Sequence, residues 1–78
     1  MNTETITLPA IRGIEFKGSS IMFIHLDNDR TFIVPLDKFT EIKNLSPTQR
    51  NDFEIIDEQH LSFIALDEVY SINELIGL

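Results

Sequence analysis

No cysteine occurs in the 78 residues. That absence excludes disulfides, thiolate zinc sites, iron–sulfur clusters and cysteine nucleophiles together. It is compatible with a reducing cytoplasm. Glycine and proline are scarce, three of each, and no stretch is linker-like or of low complexity. No apolar run approaches the ~20 residues that a membrane helix needs. Met1–Pro9 lacks the basic region and apolar run of a signal peptide. The expectation is a soluble cytoplasmic protein with no membrane contact. Positive charge is also in short supply, with 6 basic against 13 acidic side chains and a net charge of −7.

The acidity is lopsided: residues 1–39 carry a net −1 and residues 40–78 a net −6. Such a surface repels phosphate backbones and disfavours nucleic acid. It attracts a basic protein partner. The plainer alternative is that the charge only keeps a small domain soluble.

What is present is apolar bulk. The chain has 12 Ile and 6 Phe, and 42% of its residues are apolar. That is enough to offset chain entropy in one small domain. We expect a single domain over residues 1–78, with Met1–Thr5 frayed. A domain of this size is marginal alone, so packing or a partner subunit must stabilise it.

The pattern predicts strands at Ile6–Leu8, Ile11–Phe16, Ile21–Leu26 and Thr31–Val34. Turns fall at Lys17–Ser20 and Asp27–Arg30, and Pro35 closes the last strand. The near-continuous apolarity of Ile21–Leu26 predicts a strand covered on both faces, or on one face plus an oligomer contact. An exposed edge in this nearly neutral half would template a homodimer. Asp37 stands at a helix N-cap before the stripe Phe39, Ile42 and Leu45. Lys43 suits the C-terminal end of that helix dipole. Ser46 and Gln49 form a capping box around Pro47, opening a short second helix that ends near Asn51. Phe53–Ile56 and Leu61–Leu66 read as strands around a turn at Asp57–His60. Asp67-Glu68 opens a loop. Ser71 and Glu74 form another capping box, Tyr70 and Leu75 the staple beside it, and Gly77 a left-handed cap. The expected class is α+β, a mainly antiparallel sheet with two to three short helices.

Catalytic chemistry finds little support. His25 and His60, the two histidines, share no ligand spacing with carboxylates. Asp27, Asn28 and Asp29 lack the alternating ligands and distal Glu of a calcium loop. The doublets Asp57-Glu58 and Asp67-Glu68 fall in polar turns, not in an apolar pocket that would separate their pKa values. No glycine-rich phosphate loop or nucleophile elbow is present. No catalytic, metal or cofactor-binding residue is therefore assigned. A helix-turn-helix across Asp37–Asn51 would have a short second helix carrying Arg50 as its one basic residue.

Residues 26–78 resemble a small bacterial family of unknown function, number twenty-four forty-two in the domain-of-unknown-function series. The Asp27–Arg30 turn running into Thr31–Leu36 carries the resemblance, with Ser46–Arg50, His60–Phe63, Leu66–Glu68, Ser71-Ile72 and Leu75-Ile76. Family members usually place Gly in the hairpin turn, where Asn28 and Asp29 stand here. They usually carry Trp where Phe63 stands. The resemblance implies an α+β fold and no known catalytic residues. It also implies a gene beside that of another small protein, an arrangement like a toxin–antitoxin pair.

The leading expectation is a non-catalytic protein-interaction module, antitoxin-like, facing a small basic protein. Asp52, Glu54, Asp57, Glu58, Asp67 and Glu68 are the expected partner-binding residues. The rivals are a small-ligand or metal-binding domain and a DNA-binding regulator.

Overall fold

A computed structural model describes residues 9–77. The Ile6–Leu8 strand and the frayed Met1–Thr5 segment lie outside the described residues. The chain forms two three-stranded antiparallel sheets. The first orders β1 (Ile11–Lys17), β2 (Ile21–Leu26) and β3 (Thr31–Pro35); the second orders β4 (Phe53–Ile56), β5 (His60–Phe63) and β6 (Glu68–Ser71). A 3-10 turn at Leu36–Lys38 and the helices α1 (Thr40–Lys43) and α2 (Pro47–Arg50) join the sheets, and α3 (Ile72–Ile76) follows β6. The α+β class is as the grouped pattern requires. No described helix is long and apolar enough to cross a membrane.

β2 shows how the sequence dictates placement. Side chains alternate along a strand, so Met22, Ile24 and Leu26 go to the core and are buried. Ile21, Phe23 and His25 take the other face and remain half-buried. β2 is the middle strand, paired on both sides. Among the described residues the edges of this sheet belong to β1 and β3, so β2 itself offers no edge for dimerisation.

Both sheets share one core. Met22, Ile24, Val34, Leu36 and Ile42 cluster with Leu61, Phe63, Tyr70, Ile72 and Leu75. Phe63, fully buried, lies 6.1 Å from the Phe16 ring in the first sheet and 6.2 Å from Phe53 in its own. Phe39 meets Tyr70 edge-on at 5.9 Å, tying the connector to β6.

Three local expectations are corrected. Asp37 does not cap α1. It lies in the 3-10 turn with its carboxylate 2.7 Å from Lys43 Nζ, and α1 begins after Phe39, whose backbone is not helical (φ −133°) and whose side chain gives no cap. Lys43 therefore serves an ion pair that holds its carboxyl partner, Asp37, below its ordinary pKa. The fifth strand stops at Phe63, because Leu66 N–H turns back to the Phe63 carbonyl at 3.0 Å and Asp67 adopts φ 54°. Glu68 then opens β6, a strand the pattern did not reveal, and His60 is the first residue of β5 instead of a turn residue. Finally, the box at Ser71 is only half made. Ser71 Oγ accepts from Glu74 N–H at 3.1 Å, with no reciprocal bond from the Glu74 side chain. The box at Ser46 is complete: Gln49 Oε1 accepts from Ser46 N–H at 2.9 Å and Ser46 Oγ from Gln49 N–H at 3.2 Å.

Candidate functional site

The fold divides the charge more sharply than the halves of the sequence do. Residues 1–50, within which the first sheet and connector lie, carry six acidic and six basic side chains. Residues 51–78 carry seven acidic side chains and no Lys or Arg. The entire net charge of −7 thus belongs to the lobe made by the second sheet and α3.

Asp52, Glu54, Asp57, Glu58, Asp67 and Glu68 are all exposed there. Among the described residues, ion pairs join His25 to Glu15 and Lys43 to Asp37, and none involves these six. The structure does not gather them at one point. Glu54 stands within the edge strand β4, in cross-strand register with Ser62 and, through it, Val69. Asp52 precedes β4, and its carbonyl accepts from Ile64 N–H at 3.1 Å, which brings the Ile64–Asp67 turn alongside. Asp67 and Glu68 therefore share an end of the sheet with Asp52. Asp57 and Glu58 occupy the opposite end, in the β4–β5 turn with φ of 51° and 63°. The Glu58 carbonyl accepts from Ile11 N–H at 2.7 Å, so this turn also fastens the second sheet to β1.

Two residues escaped the sequence reading. Val69 and Ile64 are 55% and 52% exposed, among the largest apolar exposures in the molecule. Val69 is directly joined to Glu68, and Ile64 lies beside Asp52. The acidic end thus carries apolar contact area, the mixture typical of an interface core and its polar rim. The signal for Val69 was a β-branched residue next to an acidic doublet. It was masked because Glu68–Ser71 shows no apolar alternation, with Tyr70 its one buried side chain.

Residues 11–77 match the sequence profile of a family described as "Protein of unknown function (DUF2442)". The chain belongs to that family. No curated protein matches it, and no solved structure does. The segments that carry the family resemblance are structural in this chain. Asn28 Oδ1 accepts from Arg30 N–H at 3.1 Å and Asp29 takes φ 67°, so two polar residues perform the turn usually left to Gly. Phe63, in the usual Trp position, fills the junction of the sheets.

Other polar residues are likewise occupied by the fold. Asp27 Oδ1 accepts from Ala10 N–H at 3.1 Å, so the Asp27–Asp29 turn satisfies backbone donors. His25 bonds Thr31 Oγ1 at 2.9 Å and Glu15 Oε1 at 3.0 Å on the first sheet. His60 lies in the second sheet. Among the described residues, no group of three His, Cys, Asp or Glu side chains is placed to hold a metal. Tyr70 donates its hydroxyl to Glu68 Oε2 at 3.0 Å. Burial, then that bond, then the charges of Glu41, Glu68 and Glu74 push its pKa well above the ordinary value.

Arg50 faces inward. Its guanidinium donates to the carbonyls of Gly18 (2.9 Å), Ser19 (3.0 Å) and Lys43 (2.9 Å) and stacks 4.6 Å from the centre of the Phe16 ring. The one basic residue of the supposed recognition helix therefore clamps the first hairpin to the connector. α1 and α2, at four residues each, are about one turn long.

Proposed function

We propose that this protein is a non-catalytic interaction module whose acidic lobe binds a small basic protein. Its narrower role would be the antitoxin-like member of a two-gene bacterial pair, acting in the cytoplasm. The observation that carries this reading is the concentration of the full net charge in one lobe, where six exposed carboxylates lie outside the described ion pairs. Like charges held close raise the cost of folding, and a cationic partner relieves it. Exposed Val69 and Ile64 supply the apolar contact that charge alone lacks. Electrostatic complementarity of this kind acts chiefly on encounter rate and partner choice.

The test is co-expression with the product of the neighbouring gene, followed by association kinetics on the purified complex. The on-rate should fall as salt rises from ~0.05 to ~0.3 M, because screening shortens the reach of the lobe's field. Asp52→Lys combined with Glu54→Lys should abolish binding without lowering the thermal melt. These two are the cleanest sites for charge reversal. Asp57, Glu58 and Asp67 hold left-handed backbone, and Glu68 accepts from Tyr70. Unchanged affinity and salt dependence in the double variant would remove the acidic face from the interface.

A further inference from the structure

Among the described residues, β3 is an edge strand of the first sheet. Around β3, Leu26 N–H bonds to the Arg30 carbonyl at 2.9 Å and Leu36 N–H to the Ser20 carbonyl at 2.8 Å. Antiparallel ladders alternate. Between those two bonds, Phe32 and Val34 must therefore bond to β2, in register with Ile24 and Met22. Thr31 and Ile33 direct their N–H and C=O groups away from β2, and among the described residues no strand lies beyond β3 in its sheet. Ile33 is 65% exposed, more than any other large apolar side chain described.

An apolar groove of ≈ 660 Å³ lies against this edge, with Phe32, Pro35, Phe39 and Ile76 in its walls. Its charged lining residues are one lysine, Lys38, and one glutamate, Glu74.

From this arrangement we infer that a second copy of the chain docks here, β3 against β3, joining the two first sheets into one. Three observations select a copy of itself as the occupant. One cation and one anion in the same groove make a self-complementary set, as an isologous contact requires. Residues 1–50 are electrically balanced, so two first sheets meet without net repulsion, and of the acidic lobe's carboxylates Glu74 alone lines the groove. The register also closes. Pairing Thr31 with the partner's Ile33, and the reverse, gives four backbone hydrogen bonds. It sets Phe32 opposite the partner's Phe32, an aromatic cross-strand pair of the stabilising kind. Pro35, which has no N–H, then falls outside the paired segment. This contact is independent of the acidic face, so either assignment stands if the other fails.

Sedimentation equilibrium from ~1 to ~100 µM at ~0.15 M salt, where the Debye length is about 8 Å, should show a monomer–dimer equilibrium. Ile33→Lys should weaken it by at least ~10-fold, since the dimer contains the site twice and each 1.4 kcal/mol is a factor of ten. The exposure of Ile33 leaves its own fold intact, checked by circular dichroism. On the unsubstituted protein, amide exchange at Thr31 and Ile33 should slow as concentration rises, with Phe32 and Val34 unchanged. A monomer at every concentration would overturn the inference. So would a dimer that tolerates Ile33→Lys, or one whose Thr31 and Ile33 amides exchange freely.

Discussion

Replacing Arg50 by Met tests whether a buried cation, and not apolar packing alone, holds the first hairpin to the connector. Arg50 is 9% exposed and its guanidinium reaches the carbonyls of Gly18, Ser19 and Lys43. Hydrogen bonds to a charged donor contribute about 1.5–3 kcal/mol each. Gly18 and Ser19 are exposed turn residues, so water recovers part of their loss, and about 1 kcal/mol apiece is the better figure. The Lys43 carbonyl at the end of α1 adds about 1.5 kcal/mol. Stacking on Phe16 adds about 1 kcal/mol. Against these stands the desolvation of the charge. Arg50 Nε is buried without a partner, so part of that cost is never recovered. Met restores apolar contact and removes the desolvation cost, leaving a net loss of about 3 kcal/mol. For a domain of this size that lowers the melting temperature by roughly 12–24 °C. Arg50→Lys should lose about 2 kcal/mol, because an ammonium is a point charge and cannot present a planar fork to three carbonyls. Urea unfolding followed by far-ultraviolet circular dichroism gives both values, provided the m-value is unchanged. A loss below about 0.5 kcal/mol for Arg50→Met would refute the reasoning and assign the hairpin's position to the Phe16–Phe63 contact instead.

Two further outcomes follow from single groups. Ser71→Ala should lose about 1 kcal/mol, one amide acceptor at the start of α3, whereas Glu74→Gln should change stability little, because its side chain does not close the box; equal losses in denaturant melts would count against this division. Tyr70 stays neutral in the fold above the ordinary tyrosine pKa of about 10. Its contribution is therefore fully present below that pH and is lost as pH rises beyond it, where only the unfolded chain gives up the proton. Stability measured against pH should fall on the alkaline side of about pH 10, and Tyr70→Phe should flatten that fall; a parallel fall in the variant would assign the drop to other groups.

The elements legible in the chain were those whose causes are close in sequence. Ser46 and Gln49 satisfy each other across a single turn. The alternation of Met22, Ile24 and Leu26 needs only the strand period. Gly77 takes its left-handed cap at φ 86° because it lacks a Cβ. The acidic excess was likewise readable by counting. Other features depended on residues far apart in the chain. Arg50 looked like a surface base until Gly18, 32 residues earlier, supplied the carbonyl it binds. Asp37 looked like a cap until Lys43 and the non-helical backbone of Phe39 claimed the start of α1. β6 was hidden because Glu68–Ser71 shows no apolar alternation, with Tyr70 its one buried side chain; pairing with β5 is what makes them a strand. By itself the sequence determined the α+β class, the two turns of the first sheet, most caps and the sign of the surface. Tertiary structure alone decided which strand is left with a free edge and where the unpaired charge collects. Those properties depend on which backbone and side-chain groups find partners once distant segments meet.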